Sequence, residues 1–249
     1  MAAAAGLKAA TRFFFHSPGD LLCQICNEPS QQRRNPRLRT KRSKAAQLSV
    51  AGGEYLVEEF GWGVRRMAVS GDEMRKVADV QAEAFHVPVS FFNDVFFEFF
   101  RAEVLTALIY RIRNSPSDRY ACLVAEPIRA PKLLPEIVEG LAGVVDCTVQ
   151  RDEDVLRHLQ GAEEYLYVSG IAVRSKFRRQ KVGTVLLKAC DALSQLWGHD
   201  YIALRAYEDD LVAQKLYSKA GFKIVSIDPH WITWIGKKKR ILMIKSFVL

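Results

Sequence analysis

One stretch limits what this chain can fold into more than any other. From Glu164 to Lys188 it passes from an aromatic, aliphatic and β-branched run, Tyr165-Leu166-Tyr167-Val168-Ser169-Gly170-Ile171-Ala172-Val173, into the basic turn Arg178-Arg179-Gln180-Lys181. It resumes with apolar residues at Val182, Val185, Leu186, Ala189 and Leu193. The first run suits a buried strand, and the last has the spacing of an amphipathic helix. Gly170 interrupts the strand, where a glycine marks a bulge or a close approach of backbone. A helix N-terminus presents unpaired N–H groups and partial positive charge, so a basic turn ending in Gly183 suits a phosphate.

The rest of the chain fits around that unit as one alternating α/β domain from Tyr55 onward. Residues 64–69 are a short strand candidate. Residues 71–85 have helical spacing at Met74, Val77, Ala78 and Ala82, with Asp72 and Glu73 in the first turn. Val87-Pro88-Val89-Ser90 breaks that helix, and Ser90 can cap the next one, residues 91–113. The phenylalanines between Phe91 and Phe100 read as a packing face. Asn114-Ser115-Pro116 ends the helix. Strands are expected at 120–126, 137–149, 201–206, 222–227 and 240–247. A proline-rich loop (Pro127, Pro131, Pro135) and a polar insertion (151–164) with one short helical turn come before the central strand. Lys237-Lys238-Lys239-Arg240 reads as a solvated hairpin turn or, more sharply, as an attraction for an acidic substrate or the phosphates of a cofactor.

Charge separates the chain into two parts. The net charge is +8. Residues 1–50 hold nine Lys/Arg and two acids, a net of +7, which leaves 8 − 7 = +1 for the remainder. A nearly neutral body gives no electrostatic reason to expect nucleic acid as a partner. The alanine- and arginine-rich, acid-poor start has the composition of an organelle transit peptide, with plastid preferred over mitochondrion by its Met-Ala opening. Residues 1–52 are therefore expected to be a disordered transit peptide, and residues 53–249 the folded domain of the plastid stroma. The alternative is a basic arm that stays attached. Cys23 and Cys26 form a lone CxxC, a weak zinc signal read as incidental. Cys122, Cys147 and Cys190 sit in apolar runs and read as buried thiols, so no metal site is expected. No stretch reaches the apolar length of a membrane span.

The strand–turn–helix resembles motif A of the GNAT acyltransferase superfamily, Arg/Gln-x-x-Gly-x-Gly/Ala, with Arg178 first, Gly183 last and Lys181 in place of the middle glycine. About 30 residues on, Asp210-Leu211-Val212-Ala213-Gln214-Lys215-Leu216-Tyr217-Ser218-Lys219-Ala220-Gly221-Phe222 resembles motif B, with Asp210 where asparagine is usual. The resemblance covers roughly residues 64–249, and the chain looks most like the plant plastid GNAT proteins that acetylate lysines and protein N-termini. It implies a single GNAT domain with a mixed central sheet flanked by helices, and acetyl-CoA as cosubstrate.

By the same resemblance, the cofactor-binding residues are Ile171, Ala172 and Val173, offering backbone to the pantetheine arm with a freed N–H toward the thioester oxygen. Arg178, Arg179, Gln180, Lys181, Val182, Gly183 and Thr184 surround the pyrophosphate, and Asp210, Leu211 and Tyr217 complete the set. Tyr217 is the implied general acid. Its phenol titrates near 10 and holds its proton at neutral pH. Tyr167 is the candidate base acting through ordered water, or a packing residue, with Glu163 and Glu164 as alternatives. Arg205 lies where some N-terminal acetyltransferases carry histidine. Three readings follow: a plastid protein acetyltransferase, a small-molecule amine acetyltransferase, and a non-catalytic CoA-binding interaction protein.

Overall fold

A computed structural model of the protein describes residues 54–86, 93–128 and 140–248. The expected leader, the cap at Ser90 and the prolines at 131 and 135 lie outside those residues. Val57–Glu59 (β1) and Trp62–Arg66 (β2) pair as a hairpin across Phe60 and Gly61, both at positive φ (52° and 82°). The single strand expected at 64–69 is thus two strands set further toward the N-terminus. A strand as short as β1 shows no alternation to read. Gly71–Phe85 (α1) starts where Ser70 accepts a hydrogen bond from the Glu73 amide at 3.2 Å. It is followed by Asn93–Asn114 (α2), then Tyr120–Pro127 (β3) and Gly143–Gln150 (β4). The single turn Glu153–Leu156 (α3), capped by Asp152, supplies the expected helical turn of the polar insertion.

Tyr165–Val173 (β5), Val182–Trp197 (α4) and Tyr201–Tyr207 (β6) are the predicted strand–turn–helix–strand. Leu211–Lys219 (α5), Lys223–Ile227 (β7), the short helix Trp231–Trp234 (α6) and Arg240–Ser246 (β8) close the chain. The eight strands form one mixed sheet in the order β1-β2-β3-β4-β5-β6-β8-β7. All neighbours are antiparallel except β5 and β6, which pair in parallel only at Leu166–Ile202 and Tyr167–Ala203. Beyond Tyr167 the two central strands splay apart. The remaining backbone of β5 keeps β4 on one side and borders a gap on the β6 side.

Helix α4 covers one face of the sheet. Val182, Val185, Leu186, Ala189 and Leu193 are buried against Leu166, Val168, Ile202, Leu204 and Met243. On the opposite face α1 and α2 pack Val77, Val80 and Leu108 over Tyr120, Val124 and Val144. Nearer the chain end of that face, Tyr165, Tyr167, Tyr201, Ala203 and Leu242 cluster with Val155 of α3. The phenylalanines of α2 are less buried than a packing face requires. Phe97 and Phe100 flank His86, while Phe99 is exposed. Lys237 and Lys238 are exposed, as the solvated reading expects, but the run also makes ion pairs that the sequence did not reveal. Lys238 and Lys239 pair with Asp209 and Glu208, and Arg240 with Asp228. The basic run thus offsets acids just before α5 and just after β7 while its first two lysines remain exposed.

Candidate active site

Pairing between β5 and β6 ends at Tyr167, and the residues that the sequence singles out most densely lie on the rest of β5 and in the turn that opens α4. At Gly170 the ladder between β4 and β5 slips. Val144 faces Ala172 and Asp146 faces Ser169, so β5 spends one residue more than β4 over this interval. Gly170 has φ +60°, a left-handed conformation that costs a residue with a side chain about 1–2 kcal/mol. The bulge also flips the alternation of the strand. Tyr165 and Tyr167 face away from α4, yet after the bulge it is Ala172 that shares their face, while Ile171 and Val173 pack toward α4. A bulge leaves its extra residue out of the ladder, so backbone between Gly170 and Ile171 is released from β4.

The basic turn continues from there into α4. Arg179 and Lys181 both have left-handed φ, 64° and 70°, and Lys181 is the residue from which the helix starts. No side chain caps that start, and the first intrahelical bond runs from the Val185 amide to the Lys181 carbonyl. The amides of Val182, Gly183 and Thr184 precede it, so the helix supplies them no acceptor. Trp62 of β2 braces the turn, its indole N–H donating to the Gln180 carbonyl at 2.8 Å and its ring meeting Phe177 edge-on at 5.4 Å. Lys181 does not curl over the helix end. Its ammonium lies 5.7 Å from the Phe60 ring centre in the β1–β2 turn.

Gly183 has a packing role that the motif alone does not reveal. A Cβ there stands 3.1 Å from Cδ2 of Leu216, so the missing side chain lets α5 approach α4 closely. The two motifs thus touch through Gly183 and Leu216. Asp210 caps α5, its carboxylate accepting from the Ala213 amide at 2.9 Å. Asparagine and aspartate cap equally well, which explains why aspartate serves here.

Tyr217 of α5 packs beside Phe222. Burial first, then Asp210, Cys190 and Tyr167, push its hydroxyl well above the ordinary tyrosine value. Tyr167 occupies the last rung between β5 and β6, buried on the face opposite α4. Arg205, two residues past its partner Ala203, sits between Asp152 at 3.9 Å and Asp228 at 3.7 Å. Glu163 is exposed on the surface beside α3. Burial alone would raise the Glu164 carboxyl, but hydrogen bonds from Arg119 (2.7 Å) and Arg151 (2.8 Å) outweigh it and hold it below the usual glutamate value. A carboxylate held that way is a weak proton acceptor. Leu211 is exposed at the start of α5.

Other participants were not legible in the sequence. Trp62 lies far from the turn that it braces. Asp146 is fully buried beneath the bulge, inside a run that reads as plain apolar strand. Its only signal was a lone acid among Val144, Val145 and Cys147, in a strand bound to pair with one carrying a glycine. Cys122, Cys147 and Cys190 are buried free thiols, as expected. Among the described residues, no three His, Cys, Asp or Glu side chains are grouped to hold a metal ion, and no helix is long and apolar enough to cross a membrane.

A protein of Pyrococcus horikoshii OT3 shares this fold, with a TM-score of 0.53 at 17% identity over 76% of this chain and 99% of that one. So does a chain of the NatC complex, solved with Gag peptide and CoA, with a TM-score of 0.53 at 13% identity over 75% of this chain and 99% of that one. In sequence, the chain is 53% identical over 207 residues to GCN5-related N-acetyltransferase 10, chloroplastic, of Arabidopsis thaliana, covering 82% of this chain and 79% of the relative. GCN5-related N-acetyltransferase 6, chloroplastic, of the same plant is 24% identical over 183 residues, 67% of this chain and 64% of the relative. The model of the Acetyltransferase (GNAT) family matches residues 94–222, a span that runs from α2 through both motifs to Phe222. With the splayed central strands and the open start of α4, these matches make the chain a member of the GNAT acetyltransferase family.

Proposed function

We propose that the protein is an acetyl-CoA-dependent N-acetyltransferase of the plastid acting on protein amines, either lysine ε-amines or N-terminal α-amines. The observation that carries this reading is the end of β5–β6 pairing at Tyr167, followed by β5 backbone that the bulge also releases from β4. The residues present fit the cosubstrate. An uncapped helix start with open amides at Val182, Gly183 and Thr184 suits a pyrophosphate. Arg178, Arg179 and Gln180 are exposed around it, with Lys181 at the side. Ile171, Ala172 and Val173 run along the gap, where an extended pantetheine arm finds strand-like backbone partners. Asp210 and Leu211, at the start of α5, complete the set in this reading.

Bound acetyl-CoA supplies a thioester acyl group activated toward amines. The chain's own residues do the rest. Released backbone N–H beyond Gly170 polarises the acyl carbonyl, a role in which fixed dipoles out of water are most effective. Tyr217, whose proton is held firmly by burial, donates toward the departing sulfur. A hydroxyl with so high a pKa is a better hydrogen-bond donor than a full proton source, which places its worth at the lower end of acid catalysis. Tyr167, on the opposite face, orders the water that takes the amine proton. The names of the Arabidopsis relatives support both the reaction and the plastid.

Mass-spectrometric profiling of a peptide library incubated with the protein and acetyl-CoA tests the substrate class. Acetyl groups are expected on lysines, on N-termini or on both. Modification confined to small amines added in parallel overturns the protein-acetylation reading, and CoA binding without any acetylated product favours an interaction protein. Residues 1–52 fused to a fluorescent protein are expected to reach the plastid; diffuse cytosolic signal removes the transit-peptide assignment.

A further inference from the structure

Under the bulge lies a buried polar cluster that the reaction as described does not use. Asp146 of β4 and Gln81 of α1 are both fully buried. The Asp146 carboxylate accepts from the Gln81 amide at 2.9 Å, the Tyr120 hydroxyl at 2.6 Å and the Arg111 guanidinium at 3.3 Å. Cys122, directly across on β3, adds its thiol. Four elements, α1, α2, β3 and β4, thus converge on one carboxylate. That carboxylate sits at the bulge: a Cβ placed on Gly170 stands 3.2 Å from Oδ2 of Asp146 and 3.3 Å from Nε2 of Gln81.

A cluster of this kind is a poor device for stability. Taking a charge out of water costs several kcal/mol, and apolar residues of similar volume do as well or better. The Gln81 carbonyl oxygen, moreover, is buried with no hydrogen-bond partner among the described residues. An orphaned buried acceptor is a cost that a merely structural core avoids. What the cluster achieves is geometric. It fills the side of Gly170 where a side chain would go and blocks that stretch of β5 from relaxing back into a regular ladder with β4.

We propose that Asp146, with Gln81, Tyr120 and Arg111, is a positioning cluster that fixes the Gly170–Ile171 bulge and thereby aims the released backbone N–H at the acyl carbonyl in the β5–β6 gap. The proposal rests on reading that gap as the acetyl-CoA site. Asp146 touches no reacting atom and acts through the backbone of β5. Oxyanion donors lose their effect when misplaced by a fraction of a bond length, so loosening the bulge acts on turnover more than on binding.

The test uses the full chain with acetyl-CoA labelled with carbon-13 at the carbonyl. In the native protein, the thioester carbonyl band in difference infrared spectra is expected to move to lower frequency on binding. Asp146→Asn keeps the volume and removes the charge. It is expected to lower kcat about 10- to 100-fold, to leave the dissociation constant for CoA within about 3-fold, and to return the carbonyl band toward its position in water. Gln81→Met is expected to do the same more weakly, and it serves if Asp146→Asn does not fold. Gly170→Ala should also lower kcat, and its loss combined with Asp146→Asn should be less than the product of the two. A native protein that shows no CoA binding or no band shift removes the reading of the gap itself. A band shift that survives both cluster variants with kcat intact, or a loss of CoA binding alongside stability in both, overturns the positioning role.

Discussion

The two faces of β5 follow different rules. Toward α4 the strand presents Leu166 and Val168 to Val182, Val185, Leu186 and Ala189, an apolar contact between residues that are near one another in the chain. Toward α1 and α2 it faces tyrosines, a buried carboxylate and a glutamine drawn from widely separated elements. The first face needs only shape and apolar area, which tolerate substitution of similar volume. The second needs particular atoms at particular places. In our reading, the first face holds the cosubstrate's frame rigid and the second sets the chemistry and the choice of acceptor.

The sharpest way to break that division is at Tyr217, which comes from the α4 side yet is assigned a chemical role. Tyr217→Phe is expected to lower kcat about 10²-fold while CoA affinity and melting temperature stay near native. Because the native hydroxyl titrates well above 10, no alkaline loss of activity below pH 10 should disappear in the variant. Tyr167→Phe should instead lower the rate most at low pH, where the amine needs help to lose its proton. Full turnover in Tyr217→Phe on every acceptor makes the residue core packing only.

The contact between Gly183 and Leu216 offers the next largest effect. Gly183→Ala places a methyl 3.1 Å from Leu216, so α5 must shift or its leucine must give way. CoA affinity is expected to fall about 10-fold, and Leu216→Ala in the same chain to restore much of it, as calorimetric titration would show. Failure of the second change to rescue the first puts Gly183's role at the phosphate alone.

Glu164 probes the polar face without touching the chemistry. Its folded pKa is depressed, so the stability it contributes is present above the unfolded value of about 4.3 and is lost as pH falls through the lower folded value. Glu164→Gln should therefore lower stability at pH 7 by about 1 kcal/mol, since the pairs are partly screened by solvent, and by less as the pH approaches 3. Unchanged kcat is expected. A rate that collapses with this substitution would return Glu164 to the list of bases.

The smallest effect is expected at Lys181. Glycine there relieves a left-handed backbone but adds freedom to the unfolded chain, for a net gain of up to about 1 kcal/mol in thermal unfolding. Since the lysine is turned toward Phe60, CoA affinity should change about 3-fold or less. A larger loss would show that its charge reaches the phosphates after all.

These comparisons also explain what the sequence could and could not reveal. Helices α1 and α4, strand β5 and motif B were legible because each rests on local spacing, from Asp72 and Glu73 in the first turn of α1 to Val182, Val185 and Leu186 along α4. The bulge was legible too, because glycine within a strand has few uses. The cluster at Asp146 was not, since Asp146, Gln81, Arg111, Tyr120 and Gly170 meet only when five elements pack together. The partners of Lys238, Lys239 and Arg240 were hidden because Glu208, Asp209 and Asp228 come from neighbouring turns. Strand β1 and helix α6 escaped through brevity, being shorter than any period by which they could be recognised.

The splay of β5 from β6 has one consequence for the protein as a substance. A sheet with a wedge missing at its centre carries hydrogen-bonding groups that only solvent or a guest can satisfy. A guest that lies along the wedge becomes, in effect, part of the architecture, and its concentration becomes a variable of folding. At a hundredfold excess over the dissociation constant, such a ligand adds about 2.7 kcal/mol to the unfolding free energy. The melting temperature of this protein should therefore rise with added acetyl-CoA, and the amides of residues 168–173 should be the ones whose exchange with solvent slows most.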